Sequence, residues 1–343
     1  MVARILAILA AVAMVAGALV FRSRLDSSDE PTGTTLRLVC ATELEAVCDA
    51  LSEQKDAKVE TTIEPAATTA DRLTNLAPGR RPPLDAWLVT APWPTIVEQA
   101  RQRVARTPVL KTGRVLARSP VVLAVQAGRI AALSTQCKGQ PGWRCIGEVA
   151  GKPWSELPAG RAEWGRVRPG HPAVSTAGGL AVMGAAASDF FERTDLSSED
   201  LDTDGFRDWL ARLEDAVPDR TPSPIQTMPL RPTFDVAGAL EAEAGPLLAR
   251  SAGPNKPVLL YPSSVVTADV VLARVDGRAA DALNDRLSAT TAKDLFVQSG
   301  WRVDGRRPIA GVKESLLLPQ SSGLPEPGVL DALRRKVEQA IPR

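Results

Sequence analysis

After one leading apolar run, apolar and polar positions alternate between short stretches of period two and longer stretches of period three to four. The leading run, Ile5 to Phe21, holds seventeen residues without a charge between Arg4 and the polar group Arg22, Arg24 and Asp26. That exceeds the about 7–15 residues of a signal-peptide core and reaches the lower limit for a membrane span. An uncleaved N-terminal transmembrane helix is therefore expected. A cleaved signal at Ala16-Gly17-Ala18 is the alternative, although it would leave Leu19, Val20 and Phe21 at the new terminus. Residues 26–33, with Ser27, Ser28, Pro31 and Gly33, read as a tether, so that 1–33 form membrane anchor and tether.

The body opens on a short strand, Thr35 to Val39, and then a helix with Leu44, Val47, Cys48 and Leu51 on one face. Thr42, with Glu45 three residues on, predicts a capping box there. Strand-like runs at Lys58 to Glu64 and Leu84 to Val89 are each followed by a helical pattern, and Ser119 to Val125 reads as a buried strand. Ser175 to Ala185 is a helix of small residues; Phe206, Trp209, Leu210 and Leu213 fall at helical spacing; Val236 to Ala249 is read as one helix. Strands return at Pro257 to Tyr261 and Thr267 to Val275. Two helices ending at Gly300 follow, and a last helix carries Val329, Leu330, Leu333, Val337 and Ile341. Strand and helix alternating in this way predict an α/β protein with a largely parallel sheet covered on both faces.

Charge removes one class of partner. With 41 basic against 40 acidic residues, the net charge of +1 gives no field that would gather nucleic acid. Cysteine spacing supports export: Cys40 and Cys48 are eight apart, as are Cys137 and Cys145, and pairing within each couple is expected. A zinc site is disfavoured, because the spacing is too long and His171 is the single histidine. No G-x-S-x-G, H-E-x-x-H or G-x-x-x-x-G-K-[ST] motif is present, and S-x-x-K at Ser52 lacks the partner motifs of penicillin-recognising enzymes. No enzyme and no cofactor are expected.

Five stretches carry a family resemblance. They are Ala41-Thr42-Glu43, the strand-loop from Asp85 to Pro92, the strand from Arg118 to Ala124, the loop-helix from Pro169 to Gly179, and the run from Ala279 to Gly300-Trp301-Arg302. Together they resemble a type II periplasmic solute-binding protein, the group serving bacterial ABC transporters, in the variety found in actinobacterial envelopes. The resemblance implies a two-lobed fold, two Rossmann-like lobes joined by two hinge crossings near 117–120 and 261–264. Lobe one would then be 34–117 plus 265–343, and lobe two 118–264. It also implies a small solute as ligand, with a membrane permease or another envelope protein as partner, on the extracytoplasmic face of the cell membrane.

Ligands of such folds lie at strand ends and helix starts, where free backbone N–H groups favour polar or anionic groups. The candidates are Thr42 at the first helix start, Thr90 and Trp93 at a strand end, Ser119 at the hinge, and Ser175, Thr176, Gly178 and Gly179 at the small-residue helix. His171 is expected in a solvated loop, with a place in the cleft as the rival reading. Trp87, Trp143, Trp154 and Trp164 are expected to pack in the core or at its rim.

Overall fold

The computed structural model of the protein describes residues 35–53, 58–253 and 256–341. The anchor and tether expected over 1–33 lie outside them. Among the described residues no helix is long and apolar enough to cross a membrane. The chain runs through β1 (Leu36–Ala41), α1 (Glu45–Ser52), β2 (Val59–Glu64), α2 (Ala66–Thr74), β3 (Ala86–Thr90), α3 (Pro92–Arg103), β4 (Lys111–Gln126), α4 (Ile130–Gln136), α5 (Trp143–Val149) and β5 (Pro169–Gly170). It continues through α6 (Ala177–Phe191), α7 (Asp204–Asp215), α8 (Pro224–Thr227), β6 (Val236–Leu240), α9 (Glu241–Arg250), β7 (Pro257–Leu260), β8 (Thr267–Arg274), α10 (Arg278–Ser288), α11 (Thr290–Gln298) and α12 (Pro327–Ala340).

Strand order is β2-β1-β3-β8-β4-β6-β5, with β7 also on β4. The sixteen-residue β4 belongs to two sheets. Its part up to Pro120 pairs with β8, and from Val121 onward it pairs with β6 and β7. Each sheet with its helices makes one lobe: β1, β2, β3 and β8 on one side, β5, β6 and β7 on the other. The chain passes between lobes along β4 and returns through 261–266 into β8.

Among the described residues, parallel pairing is confined to β1 with β2, β1 with β3, and β5 with β6; the other four strand pairs are antiparallel. The expected largely parallel sheet is thus corrected to a mixed one. β4 carries the chain out of one lobe and β8 carries it back, so the two lie side by side and run in opposite directions.

Local sequence explains most elements. All five residues of β3 are buried, as a strand covered on both faces requires. In α7 the stripe Phe206, Trp209, Leu210 and Leu213 is buried, and α6 is buried from Ala177 to Ser188. The small side chains of α6 let neighbours approach closely, so that a Cβ on Gly184 would stand 2.8 Å from Leu324 and Leu330. The helix predicted over 236–249 is corrected at its start, where β6 is a fully buried strand. Val-Ala-Gly-Ala-Leu is a short apolar run whose period cannot separate helix from strand. The expected capping box is also absent: Thr42 opens a 3-10 turn over Thr42–Leu44, and its hydroxyl donates to Glu43.

Both local disulfides form, Cys40–Cys48 tying β1 to α1 and Cys137–Cys145 tying α4 to α5. Trp87, Trp143 and Trp154 are buried, and Trp164 packs edge-on against Trp154. After Arg302, residues 303–326 run back across the molecule to α12, which packs on α3 of one lobe and on α6 and α7 of the other.

Candidate functional site

Where the lobes face each other, two helix starts meet. The Thr176 hydroxyl caps α6 by accepting from Gly179 N at 3.0 Å, while donating to Ala173 O. Position 179 has to be glycine, since a Cβ would lie 2.0 Å from Ala173 O. The next free donor, Gly178 N, reaches across the groove and donates to the Glu43 carboxylate of the other lobe. At the start of α2, Ala67 N donates to Ser175 O at 2.9 Å. Each helix start is therefore satisfied by a group from the opposite lobe, which is the way backbone donors without a helical partner have to be met.

A second carboxylate stands near Glu43. Glu243, in the first turn of α9, accepts from the Ser223 hydroxyl and from Gln226 Nε2, the latter at 3.2 Å. Burial, with the charge of Glu43 added, raises its pKa against those two hydrogen bonds. At the end of β2, Glu64 is neutralised by Arg72 at 2.6 Å. The groove thus offers backbone donors at two helix starts and carboxylate acceptors from both lobes.

The crossing is fixed by a different set. Ser119 Oγ accepts from Ala242 N at 3.0 Å, so it serves the start of α9. Buried Glu241 receives Arg302 at 2.7 and 2.9 Å, Tyr261 OH at 2.5 Å and Lys313 N at 2.9 Å. Burial and Glu241 raise the Tyr261 pKa, so the phenol stays a donor. Gly300 (φ +90°) brings this corner close, leaving 2.3 Å between Ala242 O and a would-be Cβ.

Thr42, Ser175, Thr176, Gly178 and Gly179 gather in the groove, linked through Glu43. Thr90 and Trp93 do not join them: both are buried in the lobe of β3, and the Thr90 hydroxyl and Trp93 indole N–H have no partner there. His171 is not a solvated loop residue. It is buried, with Nε2 at 2.8 Å from Glu214 Oε1 and Nδ1 at 2.8 Å from Pro172 O, because α7 brings its carboxylate under the loop. Glu43, Glu243, Ser223 and Gln226 escaped the sequence reading. Glu43 sits beside Thr42 in a stretch already singled out, but nothing local marks which side chain crosses the groove.

Residues 36–302 match the model of the bacterial extracellular solute-binding protein family. The chain belongs to that family. As a bacterial extracellular solute-binding protein it is a non-enzymatic transport component; members bind small solutes outside the cytoplasm and typically work with ABC permeases. Solved structures share its two-lobed fold. A periplasmic thiamin-binding protein superposes with a TM-score of 0.60 at 11% identity, covering 92% of this chain and 98% of its own. Iron-bound HitA from Pseudomonas aeruginosa gives 0.59 at 15% identity over 89% and 99%. AfuA from Actinobacillus pleuropneumoniae, with fructose-6-phosphate bound, gives 0.55 at 11% over 89% and 97%. No curated protein matches the sequence.

Proposed function

We propose that this solute-binding protein is held on the extracytoplasmic face of the cell membrane by residues 5–21 and traps a small polar solute between its lobes. In this reading lobe one is 34–117 plus 265–343, lobe two is 118–264, and the partner is a membrane permease. One observation carries it: the starts of α2 and α6 face the groove, and each is held by a hydrogen bond that a ligand can replace. Of the polar and anionic solutes the fold suits, a neutral polyhydroxyl compound fits best. Its hydroxyl oxygens accept from Gly178 N and Ala67 N while its hydroxyl hydrogens donate to Glu43 and Glu243, whose charges oppose an anion.

A second reading is an envelope scaffold that keeps the fold without a transported ligand. It is favoured by the same two bonds, which join the lobes with no solute between them.

A thermal-shift screen of sugars and polyols, amino acids, oxyanions and metal chelates separates these readings, because a ligand bound only to the folded state raises Tm. A polyhydroxyl solute should raise Tm, and E43A should weaken its binding about tenfold, or about 1.4 kcal/mol. An oxyanion response that grows in E43A would instead make Glu43 the occupant of an anion site. No response from any class favours the scaffold.

A further inference from the structure

His171 is the single histidine of the chain, buried in the segment that enters α6, and the proposed mode of solute binding makes no use of it. Both of its ring nitrogens meet acceptors. Nδ1 lies 2.8 Å from the Pro172 carbonyl oxygen and Nε2 2.8 Å from Glu214 Oε1, while the other oxygen of that carboxylate accepts from Arg220 at 2.7 Å. A carbonyl has no proton to give, and a carboxylate held by a guanidinium is ionised. A neutral imidazole has one N–H and serves only one of the two acceptors; the imidazolium serves both. Among the described residues, Glu214 of α7 and Arg220 behind it are the charged groups that face the ring. Burial lowers the His171 pKa, and Glu214 outweighs it and raises it.

The segment this proton ties down builds the α6 side of the groove. Ala173 O accepts from both the N–H and the hydroxyl of Thr176 at 2.9 Å, and that hydroxyl in turn caps Gly179 N. Pro172 O would stand 2.7 Å from a Cβ on residue 179, so the peptide next to His171 packs directly on the first turn of α6. From that turn Gly178 N reaches Glu43, and just before the cap Ser175 O receives Ala67 N, both across the lobes. When the proton leaves, the tie at Pro172 or the tie at Glu214 is lost, and with it the support of the segment that carries both cross-lobe contacts.

We propose that His171 is a positioning residue for the groove: its second proton fixes residues 172–176 in the shape that aims Gly178 N and Ser175 O at the opposite lobe. Solute binding is then tighter with the imidazolium than with the neutral ring. This role rests on the groove being the solute site, but the positioning is measurable without a solute.

Amide hydrogen exchange of the full chain, followed by NMR between about pH 5 and 9 and corrected for the intrinsic rate at each pH, tests this beside the titration of the one imidazole. Gly178 and Gly179 should lose protection tenfold or more at the imidazole's own midpoint, while Met183 and Ala186 in the middle of α6 keep theirs. A histidine that only stabilises the fold would lower all four together. H171Q should abolish the pH dependence. R220A removes a positive charge near the ring and should move the imidazole and glycine midpoints upward in step; Arg220 is partly exposed, so this variant decides the matter if H171Q does not fold. The role is refuted if Gly178 and Gly179 show no transition, if all four amides fall together, or if R220A moves the imidazole midpoint alone. A flat thermal-shift screen would remove the solute and leave this coupling standing, whereas failure here would remove the coupling and leave the solute.

Discussion

Buried His171 and Glu214 form a charged pair that the more exposed Arg220 closes from the solvent side. Burial alone would lower the His171 pKa, but the hydrogen bond and charge of Glu214 outweigh it and raise it. Burial would likewise raise Glu214, and His171 with Arg220 at 2.7 Å lowers it instead. A raised histidine stabilises the fold in full below its unfolded value and loses that contribution as pH climbs through the folded one; a lowered carboxylate does the reverse. Stability from this set should therefore be greatest between about pH 4.5 and 6.5 and decline on both sides. In H171Q the alkaline-side decline should disappear, and about 1–3 kcal/mol should be lost inside the window, because buried Glu214 then keeps only Arg220 as a charged partner. Urea unfolding at pH 5.5 and 8.5 checks both.

Among the elements, β6 is determined by its surroundings. A Cβ on Gly238 would lie 2.4 Å from both Trp143 Cζ2 and Val182 Cγ1, so G238V should cost about 3 kcal/mol or more, seen as a lower Tm in calorimetry. The crowding also explains why this strand escaped the sequence: the constraint comes from Trp143 and Val182, nearly a hundred and some fifty residues away. Elements whose burial is written in their own period were legible, such as β3, α7 and the α10–α11 pair ending at Gly300. The first half of β4 was not, because Lys111, Thr112 and Arg114 carry polar side chains on a strand held by β8. The groove was legible in its backbone half, through Thr176, Gly178 and Gly179. Its side-chain half, Glu43 and Glu243, depends on how two lobes meet, which no local pattern encodes.

At the scale of the molecule, the Gly300-Trp301-Arg302 corner fastens the end of one lobe's helices to α9 of the other. Arg302 is the cation held by buried Glu241, so R302A should leave that carboxylate uncompensated and cost about 3–5 kcal/mol. The loss should be visible in urea unfolding, while R302K restores a charge but not the two-pronged contact and should recover only part of it.

The C-terminal helix changes what kind of motion such a molecule can make. Asp331 of α12 lies 3.9 Å from Arg103 on one half, while Lys336 pairs with Asp202 and Leu330 rests over Gly184 on the other. A body joined only at its spine gapes evenly; one also buttoned along a flank has to pivot about the button. If this protein traps a solute as proposed, its entrance is expected to be widest on the side away from α12, which leaves one fixed shoulder and one moving edge.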